Sequence, residues 1–165
     1  ILFMFIKITM GFKDMFEKGL NLETAPSIWI TIPILTLLGI TFIRISFGLE
    51  HHFSAPLAKS SLFVLTSVVL SLQIIFGVLG YMIMKKMDYF TKYIESTNKS
   101  AISFALICPG VAFMVFGMFF INYGLVYNNI IDKYSIAYFI FMLPFIYIQM
   151  KTIIYFFKLY KKFEL

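Results

Sequence analysis

Few residues of this chain have side chains that could catalyse a reaction or bind a metal. Cys108 is the only cysteine, so it can form no intrachain disulfide and has no cysteine partner for a metal site. His51 and His52 are adjacent and project in different directions, with no second ligand at a suitable spacing. The sequence therefore predicts no metal site and no cofactor. Cys108 is either a small packing residue or, in a water-lined break, a reactive thiol; the histidines either lie in a hydrated loop or form a pH-sensitive gate.

Proline and glycine interrupt two of the long apolar stretches. Pro109 and Gly110 are adjacent in one of them, and Pro33 and Gly39 make the same pattern in another. Proline removes a backbone donor and clashes with the preceding helical turn, and in a bilayer only protein or a water-filled path can satisfy the freed groups. Each break is either a packing kink or part of a helix that lines a path for a solute.

Three glycines of one stretch, Gly110, Gly117 and Gly124, recur every seven residues. This spacing predicts that they share nearly one helix face. Phe113 follows the first of them by three residues, which places a phenyl ring close to that face. If the breaks are functional, we expect the path to be lined by this face and by the other broken positions, Pro33, Gly39 and Pro109.

Charged residues are rare within the apolar stretches, and none of those stretches contains Asp or Glu. Proton relays and cation sites usually need buried carboxylates, so this argues against a cation pump, whereas the remaining hydroxyl and amide groups suit an anion or a neutral solute. Arg44, about one turn from the end of its stretch, either snorkels to the interface or places a positive charge at the outer mouth of an anion path. Lys151 is expected near the C-terminal end of its stretch, where it can snorkel to the interface. Gln73 and Asn122 are expected to form interhelical hydrogen bonds rather than to bind a ligand.

The elements that must position these residues are membrane-spanning helices. The chain is 61% hydrophobic and only 13% charged, whereas a soluble domain is about a quarter charged. Four stretches reach the roughly 20 apolar residues that a spanning helix needs: 27–48, 61–84, 101–127 and 135–157. Ile1–Met10 is apolar but too short to span, and we interpret it as the end of a fifth helix. The sequence predicts one all-α, polytopic transmembrane domain over 1–165, the C-terminal part of a longer protein.

The lysines predict the orientation. Three connections on one side hold nine lysines, and the two opposite connections hold only Lys59 and Lys133. The positive-inside rule therefore accounts for the net charge of +6 better than a nucleic-acid partner does. We expect a multi-pass protein of the inner (plasma) membrane with the lysine-rich side and the C-terminus in the cytoplasm.

The order of broken and straight helices, with phenylalanines beside glycines, resembles the C-terminal half of the tellurite-resistance and dicarboxylate transporter family, which includes TehA-like proteins and the plant slow anion channels (SLAC-like). The resemblance implies that these are the last two hairpins of a ten-helix pore, lined by kinked inner helices and blocked by a phenylalanine, with Phe113 or Phe116 as the gate. It also implies a homotrimer and a missing N-terminal half. The segment ALICPGVAFMVFGMFFINYGLV further resembles the TsoY branch, which implies a more reactive Cys108.

The sequence thus predicts a membrane transport protein rather than an enzyme, with channel-like or facilitated passage of a small anion. Two alternatives stay open. The first is a membrane redox protein that uses the Cys108 thiol on a sulfur- or selenium-containing substrate. The second is a structural membrane subunit that packs against partners and carries no solute.

Overall fold

The computed structural model describes residues 25–53, 58–96 and 99–164, together with residues 3, 6, 9, 10, 13 and 22. Most of segment 1–24 lies outside the described residues, so the predicted end of a fifth helix is not tested. Within the described part every regular element is helical. Four helices are long and apolar enough to cross a membrane: Ala25–Phe53, Lys59–Lys86, Ala101–Val126 and Ile136–Glu164. We refer to them as spans 1 to 4.

The spans confirm the predicted number of membrane helices, and some extend further than predicted. Span 1 continues to Phe53, so His51 and His52, which were predicted in a loop, lie in its last helical turn. Imidazole groups suit this position because the C-terminal end of a helix carries partial negative charge.

Spans 1 and 3 share an unusual winding at their N-terminal ends. Each begins with a six-residue 3-10 helix, Ala25–Ile30 and Ala101–Leu106, and the α-helix that follows has proline as its third residue, Pro33 or Pro109. Proline is tolerated in the first turn of an α-helix, where its missing N–H has little to lose. The sequence predicts a break near the middle of the span. Pro33 lies instead at a change of helix type, close to the start of the α-helix.

Span 3 also changes its winding at the other end, where Phe120–Val126 is a π-helix. A π turn takes more residues than an α turn, so side chains beyond Phe119 leave the face on which an α-helix would place them. Gly110 and Gly117 lie against span 4, at Thr152 and Phe145, whereas Gly124 lies against Thr66 of span 2. The predicted common face of the three glycines is therefore wrong for Gly124.

Span 3 is the centre of the bundle and packs against the other three spans, whereas spans 2 and 4 do not pack along each other. The close approaches use glycines: the ring of Phe116 lies over Gly39, and the indole of Trp29 lies over Gly80. Neighbouring spans in the chain run in opposite directions, so Lys85, Lys86, Lys161 and Lys162 lie at one end of the bundle. We call it the lysine-rich end.

The outer surface of the spans is covered with large apolar side chains, among them Leu37, Val64, Ile75 and Leu143. In water this surface would be exposed at a high cost in free energy, whereas acyl chains cover it without loss. The chain is a multi-span membrane protein.

Candidate functional site

A cavity of about 510 Å³ lies in the half of the bundle toward the lysine-rich end. Pro109, Gly110 and Phe113 of span 3 form the floor of the cavity. Spans 2 and 4 form its two walls, and the first turns of span 1 line its back. The cavity exists because spans 2 and 4 stand apart on either side of span 3. Its volume falls within the range of small-molecule sites, about 300–1,000 Å³.

A buried polar cluster marks the deep end of this cavity. Gln73, near the middle of span 2, is fully buried, and its Nε2 donates to Thr36 Oγ1 at 2.7 Å and to the carbonyl oxygen of Ile32 at 3.3 Å. The Thr36 hydroxyl lies 3.1 Å from the carbonyl oxygens of Ile32 and Ala112. Side-chain hydrogen bonds thus join spans 1, 2 and 3 at mid-depth. Gln73 Oε1 has no hydrogen-bond partner among the described residues.

Lys151 brings a charge to the cavity wall from the middle of span 4. It lies about 22 Å from the start of that helix and about 20 Å from its end. Its Nζ is 5.6 Å from the centre of the Tyr147 ring, one turn back along the helix. The side chain is exposed and leans toward the start of the helix, because helical side chains tilt toward the N-terminus and the ring face attracts the ammonium. That Lys151 snorkels to the interface stays a prediction.

The depth of Lys151 follows from its neighbours. Thr152, the next residue, contacts Gly110, which is two residues from Ala112 and thus close to the level of Gln73. The ammonium and the amide therefore lie at similar depths on opposite walls. Among the described residues that line the cavity, Lys151 is the only charged one. No carboxylate of the described residues lines it.

Most other donors of the cavity are already used inside the protein. Trp29 Nε1 donates to the carbonyl oxygen of Gly77 at 3.0 Å, and Thr152 Oγ1 donates to that of Ile148 at 2.8 Å. Exposed or half-buried tyrosines line the remaining wall, at Tyr81, Tyr147 and Tyr155. The cavity thus combines one ammonium with aromatic and aliphatic walls.

The structure brings three of the predicted path residues, Pro109, Gly110 and Phe113, together at the cavity. Pro33 is not among its lining residues, and Gly39 and Gly117 are buried under phenyl rings. Gly124 is buried against span 2. Gly39, Gly117 and Gly124 allow close packing of the helices, because side chains of neighbouring spans fill the space beside them.

The two candidate gate residues occupy different environments. Phe113 is half-buried, lines the cavity and has its ring centre 5.1 Å from that of Phe145. Phe116 is fully buried against Gly39. Both rings belong to the apolar cluster that includes Phe145, and Phe113 is the one of the two that lines the cavity.

The remaining candidates lie away from the cavity. Cys108 is exposed and shares an outward face of span 3 with Val111 and Val115, so its thiol does not border the cavity. Arg44 is exposed on span 1. His51 and His52 are exposed at the far end of that span, with ring centres 5.1 Å apart. No group of three His, Cys, Asp or Glu residues that could hold a metal occurs in the described ranges.

A second, shallower hollow of about 410 Å³ lies at the other end of span 3. Its lining includes Phe119, Asn122, Tyr123 and Lys133. The described lining residues of the two hollows have no member in common.

The interhelical hydrogen bonds expected of Gln73 are confirmed, but the sequence did not place Gln73, Trp29 or Thr152 at a cavity. It placed Lys151 at the interface. The available signal was the position of Lys151 well inside an apolar span, because an ionisable residue within the membrane usually marks a functional site. Comparison of the chain with family models, with curated proteins and with solved structures finds no match.

Proposed function

We propose that the chain is part of a membrane transport protein that passes a small anion by channel-like or facilitated movement, with the cavity as its binding chamber. The observation that carries this proposal is the exposed Lys151 side chain, which lies near the middle of the span 4 helix on a cavity wall where none of the described lining residues is a carboxylate. A charge within the membrane is costly unless it has a partner. A bound anion supplies that partner.

The cavity lies toward the lysine-rich end, which we assign to the cytoplasm of the inner membrane by the positive-inside rule. The resemblance to a family of anion channels supports the same solute class. The rings of Phe113, Phe116 and Phe145 stand between the cavity and the opposite end, so passage requires that side chains or helices move. Phe113 borders the cavity and is our candidate for the gate.

The test is anion flux into liposomes that contain the full-length protein. We expect Lys151→Met to reduce nitrate or chloride flux at least tenfold, because methionine keeps the length of the side chain and removes its charge. Lys158→Met is the matched control, since Lys158 lies on the same helix but outside the cavity. Equal flux in wild type and Lys151→Met, at equal amounts of folded protein, would contradict the proposal.

A further inference from the structure

We infer that the cavity takes an organic monocarboxylate with an apolar body, which reaches it from the acyl-chain layer through the gap between spans 2 and 4. This inference rests on the proposed function and names the substrate class of the same site. It follows from three features of the cavity: the donors left for a ligand, the chemistry of the walls and the side on which the cavity opens.

The first feature is the shortage of donors. A small inorganic anion can pass this site but is held weakly, because it loses part of its hydration shell there and a charge away from water needs hydrogen bonds as well as a counter-charge. The Trp29 indole, the Thr152 hydroxyl and the Gln73 amide donate to other groups of the protein. Lys151 and nearby tyrosine hydroxyls are left. This set suits one carboxylate and leaves the second charge of a dicarboxylate without a partner.

The second feature is the apolar wall. Ile32, Ile74, Leu106 and Phe113 line the cavity with the aromatic residues, and such a surface contributes nothing to the binding of a hydrated ion. It favours an apolar body, because each buried methylene group raises affinity about fourfold. The walls therefore favour carboxylates that carry a large apolar part.

The third feature is the opening between spans 2 and 4, which do not pack along each other. Val78 on one rim is exposed, as are Tyr147 and Ile148 on the other. These side chains belong to the surface that faces acyl chains. A ligand with an apolar body that has already partitioned into the bilayer can pass between such rims without crossing a polar barrier.

The chain carries its own reporter, since Trp29 is the only tryptophan and lines the cavity. We would measure quenching of its fluorescence by bromobutyrate, bromohexanoate and bromooctanoate in nanodiscs containing the full chain. The Cys108→Ser background prevents alkylation of the thiol. The same series on Lys151→Met gives the quenching due to partitioning into lipid alone. Bromosuccinate tests a second carboxylate.

We expect the Lys151-dependent affinity to rise about fifteenfold for each two methylene groups, with bromosuccinate at least tenfold weaker than bromobutyrate. We also expect Val78→Phe, at the rim, to slow association at least threefold. Val68→Phe on the same span is the matched control, since these valines are 54% and 53% exposed and Val68 does not line the cavity.

Binding that depends on Lys151 but not on chain length would overturn this inference and leave the proposed function intact. Equal association rates for the two valine variants would overturn lateral access. Quenching that is identical in wild type and Lys151→Met at every chain length would overturn both the inference and the proposed anion site.

Discussion

At the scale of single residues, contacts between glycines and rings hold the bundle together. A methyl group at Gly39 would overlap the Phe116 ring, whereas the Cβ position of Gly48, on the same span, has no neighbour within 4 Å. The ring is fully buried, so it has little room to move aside. Gly39 thus allows a close contact with a neighbouring span, whereas Gly48 makes no such contact.

We expect Gly39→Ala to destabilise the bundle by about 1–3 kcal/mol, the usual cost of overpacking. Gly48→Ala should stabilise it by about 0.5–1 kcal/mol, because alanine forms helix better than glycine. Unfolding of the purified variants in mixed micelles measures both. The same sign for the two changes would show that Gly39 is not a contact of this kind.

The two phenylalanines should separate gating from packing. We expect Phe113→Ala to raise anion flux, because it removes a ring next to the cavity, whereas Phe116→Ala should cost about 3–5 kcal/mol of stability by leaving a hole in the core. Flux per folded protein and unfolding free energy, measured on the same preparations, test this difference. Unchanged flux in a well-folded Phe113→Ala variant would rule out this residue as the gate.

Residue type restricts the environment of some residues. The interhelical hydrogen bonds expected of Gln73 are confirmed, because an amide inside a span finds its partners on neighbouring spans. Which partners it takes was not predictable, since they lie about 40 residues away in the chain. Pro109 and Gly110 line the cavity, while their role in a path stays a prediction. The direction of the Lys151 side chain was not predictable, because it depends on the ring beside it.

At the scale of elements, the spans differ in winding. Span 3 passes from a 3-10 helix through an α-helix to a π-helix, so its faces rotate along the membrane. The seven-residue glycine spacing predicted one face on the assumption of a uniform α-helix. That assumption holds from Gly110 to Gly117 and fails where the π segment begins at Phe120.

The position of Pro33 gives a prediction about the element. Because it lies in the first turn of an α-helix, Pro33→Ala should change the free energy of unfolding by less than about 1 kcal/mol. Leu37→Pro, one turn further at an exposed position, should cost about 3 kcal/mol or more. Chemical unfolding monitored by circular dichroism measures both. A large loss in Pro33→Ala would mean that the change of helix type depends on this proline.

At the scale of the whole molecule, four antiparallel spans place most lysines at one end. The number of spans was predictable because a bilayer admits few backbone structures and sets their length. Their arrangement was not, since apolar faces of similar composition carry little information about their neighbours. The central place of span 3 depends on which glycine meets which side chain.

Orientation can be tested with single cysteines in the Cys108→Ser background. We expect Asp132→Cys, near the lysine-poor end, to react with a membrane-impermeant maleimide in intact cells, and Glu95→Cys only after permeabilisation. Both sites are exposed. We replace acidic residues rather than lysines, because the lysines set the orientation. The reverse labelling pattern would contradict the assignment of the lysine-rich end to the cytoplasm.

The lengths of the spans have a mechanical consequence. At 1.5 Å per residue, the 28 residues of Lys59–Lys86 extend about 42 Å, close to the full thickness of a bilayer with its head groups, about 40–45 Å. Helices of this length reach both head-group layers while standing nearly upright. A thinner membrane must therefore tilt them, so bilayer thickness acts on the angles between the spans and on the width of the space that they enclose.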